Sequence, residues 1–285
     1  MIITLIILLL LCFYGIRFGK SHAYEGYISK DRTNVIKGVF ILLVFLSHIK
    51  VFINDAGYES KGIGDNVFYS ILGNIGQLMV VMFLFYYGYG VMESIRRKGL
   101  TYVKAMPKHR VLNTLVNFDI AVCVFLLVDI LIGKEVTVWQ FLLSLLTWDD
   151  IGNSNWYIFV IILCYFVTYI AARNIKDEKN LLVTVFITLT IAVIGLHFLK
   201  GSWWYNTIWA YPTGIFYSIF KKNIENCVNS RYLWLVSFLI IAFCLIYMIP
   251  YEATGFRTNT LSVLFALLVV MLTMRVKIYN GYLRW

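Results

Sequence analysis

Two side chains able to do acid–base and anion chemistry share one apolar stretch, Asn34–Val–Ile–Lys37–Gly38–Val–Phe–Ile–Leu–Leu–Val–Phe–Leu–Ser47–His48. Neutral imidazole accepts a proton efficiently near pH 7, which makes His48 a candidate general base. Lys37 is a fixed cation suited to a phosphate or carboxylate. On a helix, eleven residues are about three turns, so the two groups lie on one face roughly 16 Å apart along the axis. A charged, extended cosubstrate could bridge that distance.

Further candidates are few. A basic run, Lys108–His109–Arg110, closes a connection that also holds Arg96, Arg97, Lys98 and Lys104, the richest collection of cations in the chain. Asp119 and Asp129 lie within an apolar stretch and could orient a histidine, line an acceptor path, or pair with another helix. His197, beside Trp203 and Trp204, reads as interfacial. Cys12, Cys123, Cys164, Cys227 and Cys244 show no paired spacing, so no metal centre and no disulfide framework is expected.

The elements that position these groups follow from composition. Hydrophobic residues make up 60%, charged residues 14%, and mean hydropathy is +0.77, outside the range of soluble domains. The apolar residues form long runs near 1–16, 35–53, 67–92, 112–132, 155–172, 181–199, 203–220, 232–250 and 258–274. A run of about 20 spans hydrocarbon, so the expected fold is an all-α polytopic bundle of about nine membrane helices. The stretch from Val136 to Trp148 is too short to cross and reads as an interfacial or re-entrant helix. Nothing divides the chain, so residues 1–285 are read as a single transmembrane domain.

Lys and Arg alternate sharply between connections. Segments 17–34, 93–111, 173–180, 221–231 and 275–285 carry nineteen of the 25, while the opposite connections hold Lys50, Lys61, Lys134, Lys200 and Arg257. Cytoplasmic loops retain basic residues, which sets the N-terminus outside and residue 285 inside. The same bias accounts for the net charge of +10 and removes the case for a nucleic-acid partner. The first span lacks a preceding basic residue and a small-x-small cleavage site, so it is read as a retained helix rather than a signal peptide.

In order and spacing these residues resemble membrane-bound acyltransferase family 3, which includes bacterial O-acetyltransferases of surface polysaccharides. Lys37, Gly38 and His48 match its opening pattern of a basic residue, Gly and a helix ending in His. Met82–Phe83–Leu–Phe–Tyr–Tyr87–Gly88–Tyr89 is similar to its Phe-rich helix, with Tyr87 in place of Ser. Arg110 matches the first Arg of an Arg-x-x-Arg pattern, and Asn113 departs from the second. Asn155–Trp156–Tyr157 and Tyr211–Pro212–Thr–Gly214 look like its tryptophan-led and Pro-x-Gly helices. The resemblance covers roughly residues 30 to 285. Asn280–Gly–Tyr–Leu–Arg284–Trp285 resembles the lead-in to a further helical pair, so the chain is expected to lack the usual terminal helices, as a shorter or a truncated member.

The resemblance implies an O-acyltransferase of the bacterial plasma membrane and cell envelope. It would move acetyl from acetyl-CoA to a hydroxyl of a surface polysaccharide or its lipid-linked precursor, with the bilayer and that glycan as partners. His48 would be the catalytic base, or carry the acetyl group itself between two half-reactions. Lys37, Lys108 and Arg110 would hold the CoA phosphates, and Asp119, Asp129 and Trp156 would support the substrate or the structure. The competing class is a transporter or flippase for a glycan or small acid. Against it, no repeated half is visible, and the histidine and cations lead in from the cytoplasmic side.

Overall fold

The computed structural model describes residues 2–14, 16–19, 24–60, 62–250 and 255–278. Expectations that rest on Lys61, on Asn280 to Trp285 and on the Cys12 side chain lie outside the described residues. In chain order the helices are α1 (Ile2–Phe13), α2 (Lys30–Asp55), α3 (Ile63–Ile75), α4 (Leu78–Lys98), α5 (Leu100–Met106), α6 (Asn113–Leu131), α7 (Val138–Leu145), α8 (Trp156–Asn174), α9 (Glu178–Leu199), α10 (Ala210–Met248) and α11 (Phe256–Met274). A π-helical segment, Pro107–Leu112, joins α5 to α6. Besides the helices there is one antiparallel pairing of three-residue strands, β1 (Ile16–Phe18) with β2 (Val276–Ile278).

Among the described residues the fold is all-helical apart from that ribbon, and seven of the helical stretches are long and apolar enough to cross a membrane. Two features separate this number from the nine runs read in the sequence. The first run forms α1, whose 12 residues fall short of the roughly 20 a crossing needs. Runs 203–220 and 232–250 both fall within Ala210–Met248, labelled α10, where two helical segments meet at a kink at Arg231, whose φ of −134° and ψ of 32° are not helical, so the two runs count once among the seven. The short stretch after residue 136 forms α7, capped by Thr137, whose hydroxyl accepts from Gln140 N at 3.1 Å.

Helix ends follow local chemistry. Asp177 caps α9 by accepting from Asn180 N, and Glu178 follows in its first turn, where the helix dipole favours a carboxylate. Arg96, Arg97 and Lys98 close α4 at the opposite pole. Pro212 is tolerated in the first turn of α10, where no intrahelical N–H is needed. Pro107 has no N–H and crowds the carbonyl four residues back, and the helix widens at that point into the π segment. The connection 93–111, expected as a loop, is therefore almost continuously helical. Between α2 and α3, the Tyr58 hydroxyl donates to Asp65 at 2.8 Å, which pushes the phenol above its ordinary pKa.

The chain groups into two compact units interleaved in sequence. One comprises residues 1–86, 220–252 and 260–285, the other 87–219 and 253–259. In the first, α3 packs against α1 and α2, Phe40 of α2 meets Phe265 of α11 edge to face, and Arg32 reaches the Val276 carbonyl of the ribbon. In the second, α8 is the central element and packs against α5, the π segment, α6 and α9.

One contact sets the close approach of α4 and α10 in the second unit. A Cβ on Gly88 would lie 2.0 Å from the Tyr211 carbonyl oxygen. Small residues allow such approach in membrane bundles. Gly88→Ala is expected to lose most correctly folded protein, a destabilisation of about 3 kcal/mol or more by overpacking against backbone. Gly90→Ala, with nothing within 4 Å of the added methyl, should melt like the parent in a detergent thermal-stability assay.

Candidate active site

His48 and Lys37 both lie on α2, one unbroken helix, and keep the spacing expected of them. Lys37 is half-buried. His48 is exposed, in a stripe with Ile41, Phe45 and Phe52 at helical spacing. Among the described residues no hydrogen bond holds its imidazole to a neighbouring helix, so the ring is not committed to a structural role there.

In the second unit the structure gathers residues around Arg110. The π segment presents its guanidinium, half-buried, to the Tyr102 ring on α5 and the Tyr165 ring on α8, 5.9 Å from each centroid, and Arg110 Nε donates to the Tyr102 hydroxyl at 3.1 Å. Tyr165 meets Tyr87 and Tyr211 edge to face, and the Tyr211 and Thr168 hydroxyls lie 3.0 Å apart. The Gly88 contact thus brings Tyr87 and Tyr211, from two separate sequence patterns, to one tyrosine cluster. Beside it is a cavity of about 320 Å³ lined by Lys98, Thr101, Tyr102, Met106, His109 and Arg110, with Ala105 completing the wall. Two permanent cations, an imidazole and a phenol make this a cradle for an anionic group with an aromatic or apolar attachment.

The remaining candidates are placed as follows. Lys108 is exposed on the π segment and does not line the cavity. Arg96 is drawn away from the phosphate role given to its connection: its guanidinium forks onto Glu178 (Nε at 2.6 Å) and reaches Glu93 and the Ser218 carbonyl, while the Ser218 hydroxyl donates to Glu93. This knot ties α4 to α9 and α10. Asp129 is buried and paired at 3.1 Å with Lys134, in the turn just after its own helix rather than on another helix. Asp119 is half-buried, and its Oδ1 is buried with no partner among the described residues. Trp156 opens α8, edge-on to Tyr157. His197 Nδ1 lies 2.9 Å from the Tyr205 hydroxyl at the exposed end of α9. Among the described residues no cluster of three or more His, Cys, Asp or Glu could hold a metal ion, and the described cysteines are free.

Sequence reasoning passed over Tyr102, Tyr165 and Thr168. Eight residues at 3.6 per turn set Tyr102 about 80° away from Arg110, and only the π segment re-phases them. Tyr165 carried a usable signal, because tyrosine favours the membrane interfaces and this one lies in the middle of a span.

A family model described as an acyltransferase domain, of the acyltransferase 3 family, matches residues 31–284. The chain belongs to that family. It is a multi-pass membrane protein whose family chemistry is acyl transfer. No curated protein and no solved structure matches it.

The cavity should bind a phosphorylated nucleotide. With adenosine 3′,5′-bisphosphate as the probe, Arg110→Gln is expected to weaken binding about 10- to 100-fold, the scale of a charge-assisted hydrogen bond. Tyr102→Phe, which keeps the ring and loses only the acceptor, should weaken it about 2- to 10-fold. Calorimetry in detergent reads both; equal affinities for all three proteins would remove the cavity from donor binding.

Proposed function

We propose that this protein transfers an acetyl group from acetyl-CoA to a hydroxyl of a surface polysaccharide or its lipid-linked precursor. The observation that carries this reading is the cationic, tyrosine-walled cavity at Arg110 in a chain of the acyltransferase 3 family. Its charge and size suit the phosphorylated end of CoA, with Lys98, His109 and Arg110 as direct contacts and Lys108 at the rim; the phosphate role of Lys37 rests on the family resemblance alone. The positive-inside distribution of Lys and Arg supports a cytoplasmic position for this end and a plasma-membrane location, while the outer N-terminus read from nine crossings loses its support because α1 is too short to cross.

His48 acts as general base. Its imidazole takes the proton of the attacking hydroxyl as that oxygen bonds to the thioester carbonyl carbon. The carbon–sulfur bond then breaks, and the imidazolium returns the proton to the departing CoA sulfur. A thioester is already electrophilic, so base and positioning are the ingredients the protein must add. An imidazole with no hydrogen bond among the described residues suits this role.

Membranes containing the chain should move labelled acetyl from acetyl-CoA into glycan. His48→Ala at matched protein level should lower that rate about 100-fold or more, the usual scale of a lost general base. Equal rates for parent and variant would remove His48 from the chemistry, and transport of unmodified glycan by a parent that transfers no acetyl would replace the enzyme reading with a flippase.

A further inference from the structure

The connection between α7 and α8, residues 146–155, is held more firmly than a link between helices requires. Five consecutive carbonyls each accept from a side chain. Asn155 Nδ2 donates to Thr147 O and Asp149 O, Lys200 to Trp148 O, Gln140 to Asp150 O, and Lys134 to Ile151 O. Thr147, buried and β-branched, has a φ of 60°, a conformation such residues adopt only when their surroundings impose it.

Within this frame two polar groups are left over. Asn153 is 7% exposed; its Oδ1 accepts from Ile151 N, and its Nδ2 is buried without a partner. Ser144 Oγ, at the end of α7, is likewise buried and unpartnered among the described residues. Buried amides and hydroxyls are almost always hydrogen-bonded, so these two need a partner the chain does not supply, a water or a ligand group.

The adjoining surface defines its chemistry. The Trp148 ring packs against Phe159 and Trp204, with Lys200 Nζ 4.2 Å from its centroid, yet remains half-exposed. Asp149 and Asp150 each spend one carboxylate oxygen on a backbone N–H, and among the described residues the other oxygen of each has no partner. Two carboxylates repel a phosphate. A divalent cation needs several oxygen ligands, and the neighbouring carbonyls are already taken by donors. A neutral, hydroxyl-rich ring satisfies every condition, with C–H surface on the indole and hydroxyls on the carboxylates and the amide.

We propose that the 146–155 connection is the acceptor site and seats a neutral sugar ring of the glycan against Trp148, with Asp149, Asp150 and Asn153 as its hydrogen-bonding partners. The proposal rests on the reading of this chain as a glycan acyltransferase. It also fits the layout of the second unit, since α8 begins at this connection and carries Tyr165 of the Arg110 cluster nine residues, about 14 Å, further along its axis.

The test uses protein in nanodiscs and end-labelled oligosaccharides released by mild acid from the host cell's surface glycan. Anisotropy reads sugar binding, and CoA release from acetyl-CoA is measured on the same samples. The parent should bind the sugars, and the isosteric pair Asp149→Asn/Asp150→Asn should bind them at least ten-fold more weakly while hydrolysing acetyl-CoA to acetate and CoA, with water in place of the sugar hydroxyl, at the parent's rate in the absence of glycan. Asn153→Leu, a second variant of similar size, should behave alike. Undiminished binding by the variants overturns the site, as does a parent that releases CoA and binds no sugar. Parent binding that the variants lose, without CoA release from any of the proteins, upholds the sugar site and rejects the acyl-transfer reading.

Discussion

Gly88 and the Tyr211 carbonyl occupy space that any larger residue at position 88 would fill, and the tyrosine cluster depends on that contact. It fixes how closely α4 approaches α10. With that distance set, Tyr87 and Tyr211 reach Tyr165 on α8, and Tyr165 in turn offers its ring to Arg110. Among the described residues no carboxylate holds the guanidinium, so its charge is not neutralised there. Phenols and ring faces orient it and leave its charge available, the arrangement expected of a group kept for an anionic ligand.

Each backbone polar group in hydrocarbon must be satisfied internally, and the irregular segments keep theirs paired in different ways: the π segment through helical hydrogen bonds of wider register, and the turn after α7 through side-chain donors. The π segment at Pro107 presents Arg110 to the cavity, and the strained turn at Thr147 is enclosed by side-chain donors from α7, α8 and their neighbours. The ion pair of Asp129 with Lys134 and the Arg96–Glu178 knot belong to the frame. Their charges are spent on holding helices and connections in place.

Much of the fold was legible in the sequence, because long apolar runs and the alternation of Lys and Arg report on lipid directly. The apolar runs map onto helices, and the stretch after Val136 forms the short helix α7. The number of crossings was less legible. Hydropathy does not reveal that the two runs flanking Arg231 meet at a kink with almost no loop between them, nor that the first run closes after 12 residues. At the site, Arg110 stood out by its place in a basic run at a helix entrance. Its partners did not, since Tyr102 comes into reach through a π segment that no spacing rule anticipates, and Lys98 is indistinguishable in sequence from the other cations of its connection. Arg96 shows the converse: by composition it belongs to the phosphate-binding group, yet Glu178, 82 residues on, engages it.

The CoA cavity at Arg110 is proposed at the cytoplasmic face, and the proposed acceptor connection, 146–155, follows Lys134 in a connection of the opposite, Lys-poor set, so sidedness tests the proposal most directly. Sealed vesicles containing the chain can be prepared in both orientations and supplied with labelled acetyl-CoA from outside. Label is expected to enter glycan only when the cytoplasmic face is outermost, with the modified glycan then enclosed in the lumen. Label entering glycan from acetyl-CoA supplied at the opposite face, with the vesicles intact, would contradict it.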